Sequence, residues 1–97
     1  MNYYERPIRE WVAEDRPREK LLEKGISALT EAELLATLLA SGTQKLSAIG
    51  LARLLLDEFG GLRNLSRASM TELMSVHGVG QAKASCIVAA FELARRK

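Results

Sequence analysis

Three observations predict an all-α fold for this chain. Apolar residues recur at helical spacing in three stretches, from Leu34 to Leu39, from Leu51 to Phe59 and from Ala84 to Ala94. Thr30 with Glu33 and Ser69 with Glu72 form two Ser/Thr-x-x-Glu sets, the signature of a capping box at a helix start. No segment alternates β-branched and polar residues as a half-buried strand would. With 97 residues, 47% hydrophobic and 27% charged, the chain suffices for one small helical domain with a single core.

The elements follow in order. Pro17 suits a first helical position and Gly25 a C-terminal stop, which predicts a short first helix. The Thr30–Glu33 box opens a second helix whose Leu34, Leu35, Leu38 and Leu39 are expected to share a face, with Gly42 ending it. Ser47 caps a third helix with Leu51, Leu54, Leu55 and Phe59 at helical spacing, broken by Gly60-Gly61. A short turn is expected from Leu62 to Leu65. The Ser69–Glu72 box starts the next helix, and Ala84, Ile87, Val88, Phe91 and Ala94 form the apolar stripe of the last one.

Between those last two helices stands Val76-His77-Gly78-Val79-Gly80-Gln81-Ala82-Lys83-Ala84, two glycines flanking one aliphatic residue. Glycine permits positive φ and close backbone approach, and the first amides of the following helix lack intrahelical acceptors. With the helix dipole behind them and Lys83 about one turn in, an anion such as phosphate is the natural guest. The plain alternative is that Gly78 and Gly80 merely turn the chain between packed helices. The arrangement resembles the helix-hairpin-helix motif of nucleic-acid proteins. Together with Asp15-Arg16-Pro17-Arg18-Glu19-Lys20-Leu21-Leu22 and the run from Leu34-Leu35 to Ser41-Gly42-Thr43, it resembles the N-terminal region of the RadC (UPF0758) family over nearly the whole chain.

That resemblance implies an N-terminal arm over residues 1–16 and a helix-hairpin-helix domain over 17–97, followed in the family by a JAB/MPN metallopeptidase-like domain with a His-x-His zinc signature that these residues do not contain. It implies phosphate contact by the backbone amides of Gly78 and Gly80, with Ala82 and Lys83 at the helix start and the Lys83 side chain as charge partner. Val79 sits between the two glycines in the same interface, and the carbonyls of Met74, Val76 and Val79 would hold a monovalent cation, as in relatives of the motif. Main-chain groups cannot read bases, so the expected partner is DNA bound without sequence preference. A repair-associated role comes with the family name alone. His77 stands where many such hairpins carry proline; a protonated imidazole beside a phosphate would add affinity on acidification, although a lone loop histidine is more often a solvated surface residue.

Charge distribution agrees with this placement. The formal net charge is +2. Residues 1–25 hold six basic and six acidic side chains, whereas residues 26–60 hold Lys45 and Arg53 against four acids. Residues 61–97 hold six cations against Glu72 and Glu92, and this positive part contains the hairpin. Arg95 and Arg96 are candidates for phosphate contact near Gly78, Gly80 and Lys83, though with Lys97 they also close a helix, where cations stabilise the dipole in any case. The first half reads as a faint repeat of the second: Leu34 to Leu39, Ser41-Gly42-Thr43 and the helix after Ser47 again give helix, glycine turn, helix. Two such hairpins would pack about a pseudo-two-fold axis, the first degenerate in phosphate binding because it lacks the second glycine.

Other chemistries find little support. One cysteine, Cys86, cannot form an internal disulfide and is expected to pack as a small residue, and one histidine leaves no metal cluster, so no metal or other cofactor is implied by composition. No carboxylate pair or nucleophile–base set can be assembled from the motifs, so no enzyme is expected in these residues. The aromatics are poorly placed for base stacking: Tyr3, Tyr4 and Trp11 lie in the first segment, and Phe59 and Phe91 fit helix stripes. No apolar run reaches the ~20 residues of a membrane span and no secretory leader is evident, which predicts a cytoplasmic protein. A second function remains open, a docking module that positions the following metallopeptidase-like domain. It predicts a larger exposed apolar patch, with Trp11 as one candidate member, and indifference to Lys83→Glu.

Overall fold

A computed structural model describes residues 17–97; the expectations for the arm over residues 1–16, and for Trp11 in an apolar patch, lie outside the described residues. The described residues form six α-helices and no strand: α1 (Pro17–Lys24), α2 (Glu31–Leu39), α3 (Ala48–Phe59), α4 (Leu62–Leu65), α5 (Met70–Met74) and α6 (Gln81–Arg96), with a 3-10 turn at Ile26–Ala28. The chain divides into two compact units, up to Leu54 and from Leu55 onward, so the boundary falls within α3.

In the first unit, α1 packs on α2. Pro17 occupies the first helical position, where its missing N–H costs nothing, and Gly25 stops the helix at φ 85. The Lys20 ammonium lies 3.0 Å from both carboxylate oxygens of Glu33, which also accepts the Thr30 N–H at 2.9 Å. The Thr30 hydroxyl in turn accepts the Glu33 N–H, completing the expected capping box. Burial pushes the Glu33 carboxyl up, but the Thr30 N–H, the Lys20 ammonium and the Thr30 hydroxyl outweigh that effect and hold it below its ordinary value.

Two details of α2 depart from the sequence expectation. Its buried stripe is Ala32, Leu35, Ala36 and Leu39, whereas Leu34 and Leu38 are exposed. A run of leucines hides this, because alanine fills the close-packed positions and the 100° step carries Leu34 and Leu38 to the outer edge. Nor does Gly42 end the helix. Ala40 does, at φ 68 and ψ −34, with the Ser41 N–H bonded back to the Leu39 carbonyl at 2.8 Å. That is a γ-turn of the rare, strained hand. Gly42 serves a different need: a Cβ there would stand 2.0 Å from the Leu46 carbonyl oxygen and 2.8 Å from the Ala48 nitrogen.

Helix α3 begins as expected, with the Ser47 hydroxyl accepting the Gly50 N–H at 3.1 Å. It ends in paired bonds from Gly61 N–H to the Leu56 carbonyl and from Gly60 N–H to the Asp57 carbonyl, with Gly60 at φ 78. This is the Schellman arrangement, which needs a left-handed residue at that position. The second unit buries Leu55, Leu65, Leu73, Val79, Ala84 and Ile87. Along α6 the predicted stripe holds at Ala84 and Ile87 but weakens toward the C-terminus. Val88 and Phe91 are half-buried and Ala94 is exposed. Cys86 is exposed on the opposite side, a correction to the expectation of packing.

Candidate nucleic-acid interface

The turn between α5 and α6 is built stepwise. Ser69 and Glu72 form the second capping box, with the Ser69 N–H 2.9 Å from Glu72 Oε1. That N–H, and then the Ser69 hydroxyl, hold the Glu72 carboxyl below its ordinary value. After α5, the Val76 N–H bonds the Leu73 carbonyl at 3.1 Å and the Val79 N–H bonds the Val76 carbonyl at 3.0 Å. The second bond closes a four-residue turn over 76–79. Gly78, its third residue, has φ 91, the positive value that a type II turn demands there. Val79 then points inward and is buried, while α5 packs against α6. Val79 thus anchors the turn by its side chain and offers outward only main-chain atoms. One lone pair of the Val76 carbonyl is already used by the turn.

Gly80 is different. It is the N-cap of α6 at φ −90 and ψ −171, extended backbone open to any residue, and a Cβ added to it would meet nothing within 4 Å. Neither torsion nor internal packing requires glycine here. No side chain caps α6, and the first bond into its ladder is Ala84 N–H to the Gly80 carbonyl at 3.0 Å. The amides of Gln81 and Ala82 therefore come before Ala84, the first donor into the helical ladder, at the positive end of a 16-residue helix. Gly78, Gly80, Gln81 and Ala82 are exposed and Lys83 is half-buried beside them. His77 is exposed at the tip of the turn.

The connection between α2 and α3 differs in the same respects. There the Thr43 N–H bonds the Leu46 carbonyl at 2.7 Å, and the Thr43 hydroxyl accepts the amides of Lys45 and Leu46 at 3.1 and 2.9 Å. The Ser47 cap takes a further amide. The loop consumes its own donors, and its glycine is filled by its own backbone.

Arg95 and Arg96 stand elsewhere. Gly80 and Arg95 are fifteen residue steps apart along the helix, about 22 Å at 1.5 Å per step. They are therefore not beside Gly78, Gly80 and Lys83 as the charge pattern suggested, because α6 runs unbroken between the two groups. Arg95 and Arg96 both pair with Glu92, at 3.3 and 2.9 Å. An Arg95 Nη2 hydrogen bond to the Ser66 carbonyl brings the end of α6 to the turn after α4, beside Arg67. Residues 66 and 95 are joined by no local pattern, so this juxtaposition was not legible from spacing. Among the described residues no group of three His, Cys, Asp or Glu side chains is placed to hold a metal ion. Nor is any described helix long and apolar enough to cross a membrane.

A family model described as UPF0758 N-terminal matches residues 8–85. A UPF0758 protein of Desulforudis audaxviator is 53% identical over 93 residues, which cover 96% of this chain and 40% of that protein. UPF0758 proteins of Geotalea uraniireducens and Bacillus cereus strain ZK / E33L are 48% and 51% identical over 91 and 89 residues, each covering 92% of this chain and 40% of the relative. The chain thus spans 40% of the length of these relatives. No solved structure matches it.

Proposed function

For a chain that belongs to the UPF0758 family and carries its N-terminal region, we propose a binding role: a helix-hairpin-helix module of a RadC-like, DNA-repair-associated protein that grips the DNA phosphate backbone without reading sequence. The observation that carries it is Gly80, a glycine with no use inside the fold, at the uncapped start of the longest described helix. With no side chain at that point, the space beside the start of α6 is clear for an oxyanion.

In this reading Gly78 sets the turn, the buried Val79 fixes its depth, and Gly80, Ala82 and Lys83 present N–H groups to one phosphate, with the Lys83 side chain adding charge. Such contacts position a strand and carry no base information. One hairpin neutralises few phosphates, so the affinity belongs to the non-specific range, roughly 10⁻⁴ to 10⁻⁶ M at physiological salt. Residues 17–97 then act together as the binding part of a longer cytoplasmic protein, whose remaining residues supply any metallopeptidase chemistry. The test is an amide NMR titration with a random-sequence duplex at about 50 and 200 mM salt, a range over which phosphate-driven binding weakens. Shifts centred on Gly78, Gly80 and Lys83 that shrink with salt support the reading; silence there at low salt removes it.

A second reading has its own observation. Leu22 is 87% and Ile26 66% exposed on the first unit, apolar side chains that a docked protein domain would cover. Indifference of function to Lys83→Glu, with sensitivity to Leu22→Asp, would favour that role.

A further inference from the structure

We infer that the basic cluster at the C-terminal end of α6 is a second phosphate-contacting surface, which takes the backbone of the same DNA duplex about 22 Å from the hairpin. This rests on the proposed DNA-binding role and assigns it a footprint. The cluster is assembled by the Arg95 hydrogen bond to the Ser66 carbonyl, which joins two stretches that are each basic: Arg63 and Arg67 around the turn after α4, and Arg95, Arg96 and Lys97 at the end of α6. All five are exposed. Glu92 pairs with two of them. The two stretches, residues 62–67 and 92–97, carry five cations and one acid, so their own surplus is positive.

Ion pairing at an exposed site does not remove a cation from use. Glu92 is about half exposed in its pairs with Arg95 and Arg96, and such pairs contribute little in water. A phosphate strand that releases its counterions can therefore compete for these guanidinium groups. The shallow groove lined by Ser66, Phe91, Ala94 and Arg95 gives the cluster a concave edge.

Distance selects the ligand. The hairpin and the cluster are more than two Debye lengths apart at physiological salt, about 8 Å each, so neither feels the other through solvent. A free phosphate or a nucleotide reaches one of them. A duplex, rising about 3.4 Å per base pair along its axis, spans the gap in six or seven base pairs and offers phosphates of one strand or the other at each end. It is also stiff over that span, with a persistence length near 150 base pairs. The second contact is then intramolecular and raises affinity without any contact to a base.

The experiment measures binding of a fluorescent 20-base-pair duplex of random sequence by anisotropy between about 50 and 200 mM salt. Wild type is compared with the Arg63→Gln/Arg67→Gln double variant, an Arg96→Gln/Lys97→Gln double variant and Gly80→Val. Each lost phosphate contact removes about 0.9 from the slope of log affinity against log salt, so each double variant should lose about 1.8. Unchanged slopes in both double variants, with melting temperatures intact, overturn the second surface. If Gly80→Val then still weakens binding, the hairpin reading survives alone. Reduced slopes in the double variants with no effect of Gly80→Val keep the cluster and remove the hairpin. No binding by wild type at 50 mM salt overturns both.

Discussion

Replacing Gly80 with serine should raise stability and lower DNA affinity together. Gly80 already has the extended torsions of an N-cap, φ −90 and ψ −171, and its Cβ direction is open, so serine fits without strain. A serine Oγ at the N-cap accepts the N–H of the second or third helical residue, here Ala82 or Lys83. Serine exceeds glycine as a cap by only a few tenths of a kcal/mol. For a domain of this size that is a gain of roughly 1 to 3 °C in melting temperature. The amide captured by the cap is one that the proposed phosphate contact uses. Losing a charge-assisted bond of about 1.5 to 3 kcal/mol should weaken binding roughly 10- to 150-fold. Thermal denaturation and anisotropy on the same sample read both effects. A lower melting temperature would show that α6 does not begin at Gly80 as described. Unchanged affinity alongside a higher melting temperature would refute the reasoning that these amides meet the phosphate.

The other predictions concern the frame that holds the turn. Gly42→Ala should cost ~3 kcal/mol or more, because its Cβ would collide with the backbone of Leu46, Ser47 and Ala48; a near-normal urea midpoint would contradict that packing. Glu33→Gln should lower stability by about 1 to 3 kcal/mol at pH 7 through weakened bonds to Lys20 and Thr30. The folded carboxyl lies below its ordinary value, so its contribution is present above about pH 4.5 and is lost as pH falls through the folded value. The gap between wild type and variant should therefore close in acid, and a gap independent of pH would contradict the assignment. Ile87→Ala should cost ~2 to 5 kcal/mol at a fully buried site, and Phe91→Ala clearly less than the ~3 to 5 kcal/mol of a buried phenylalanine, because Phe91 borders an open groove. Chemical denaturation of the two variants tests that order.

Features set by local chemistry were legible in the sequence. Both capping boxes, the Pro17 start, the Gly25 stop, the Ser47 cap and the Gly60-Gly61 break depend on residues within one or two turns, and each stands where spacing put it. What failed was the direction of faces. Leu34 and Leu38 were grouped with Leu35 and Leu39 because hydrophobicity alone does not show which of four leucines yields its place to Ala32 and Ala36. Phe91 is only half-buried because cover on α6 thins toward its end, and Cys86 is exposed because it lies on the side of the helix away from Ala84 and Ile87. The Arg95–Ser66 contact lay beyond any local pattern, and with it the recognition that the turn holding Ser66 and Arg67 neighbours the end of α6.

Gly42 and Gly80 show why a glycine motif alone underdetermines a site. Each lies in a loop between two helices, Gly42 six residues before Ala48 and Gly80 directly before Gln81. At Gly42 the missing Cβ is taken up by the chain itself, whose carbonyl stands where the side chain would be, and the loop's amides are bonded by Thr43 and Ser47. Replacing that glycine should disturb folding and nothing else. At Gly80 the missing Cβ leaves open space over an uncapped helix start, so the fold alone would accept serine, a better cap than glycine. A position that accepts less helix stability than its torsions permit is explained when something outside the chain occupies the vacated volume. In the proposed reading a phosphate oxygen takes that open space, drawn by the helix dipole and by the N–H donors at its start. The alternative, a glycine retained only to turn the chain, accounts for Gly78 at φ 91 and leaves Gly80 without a reason.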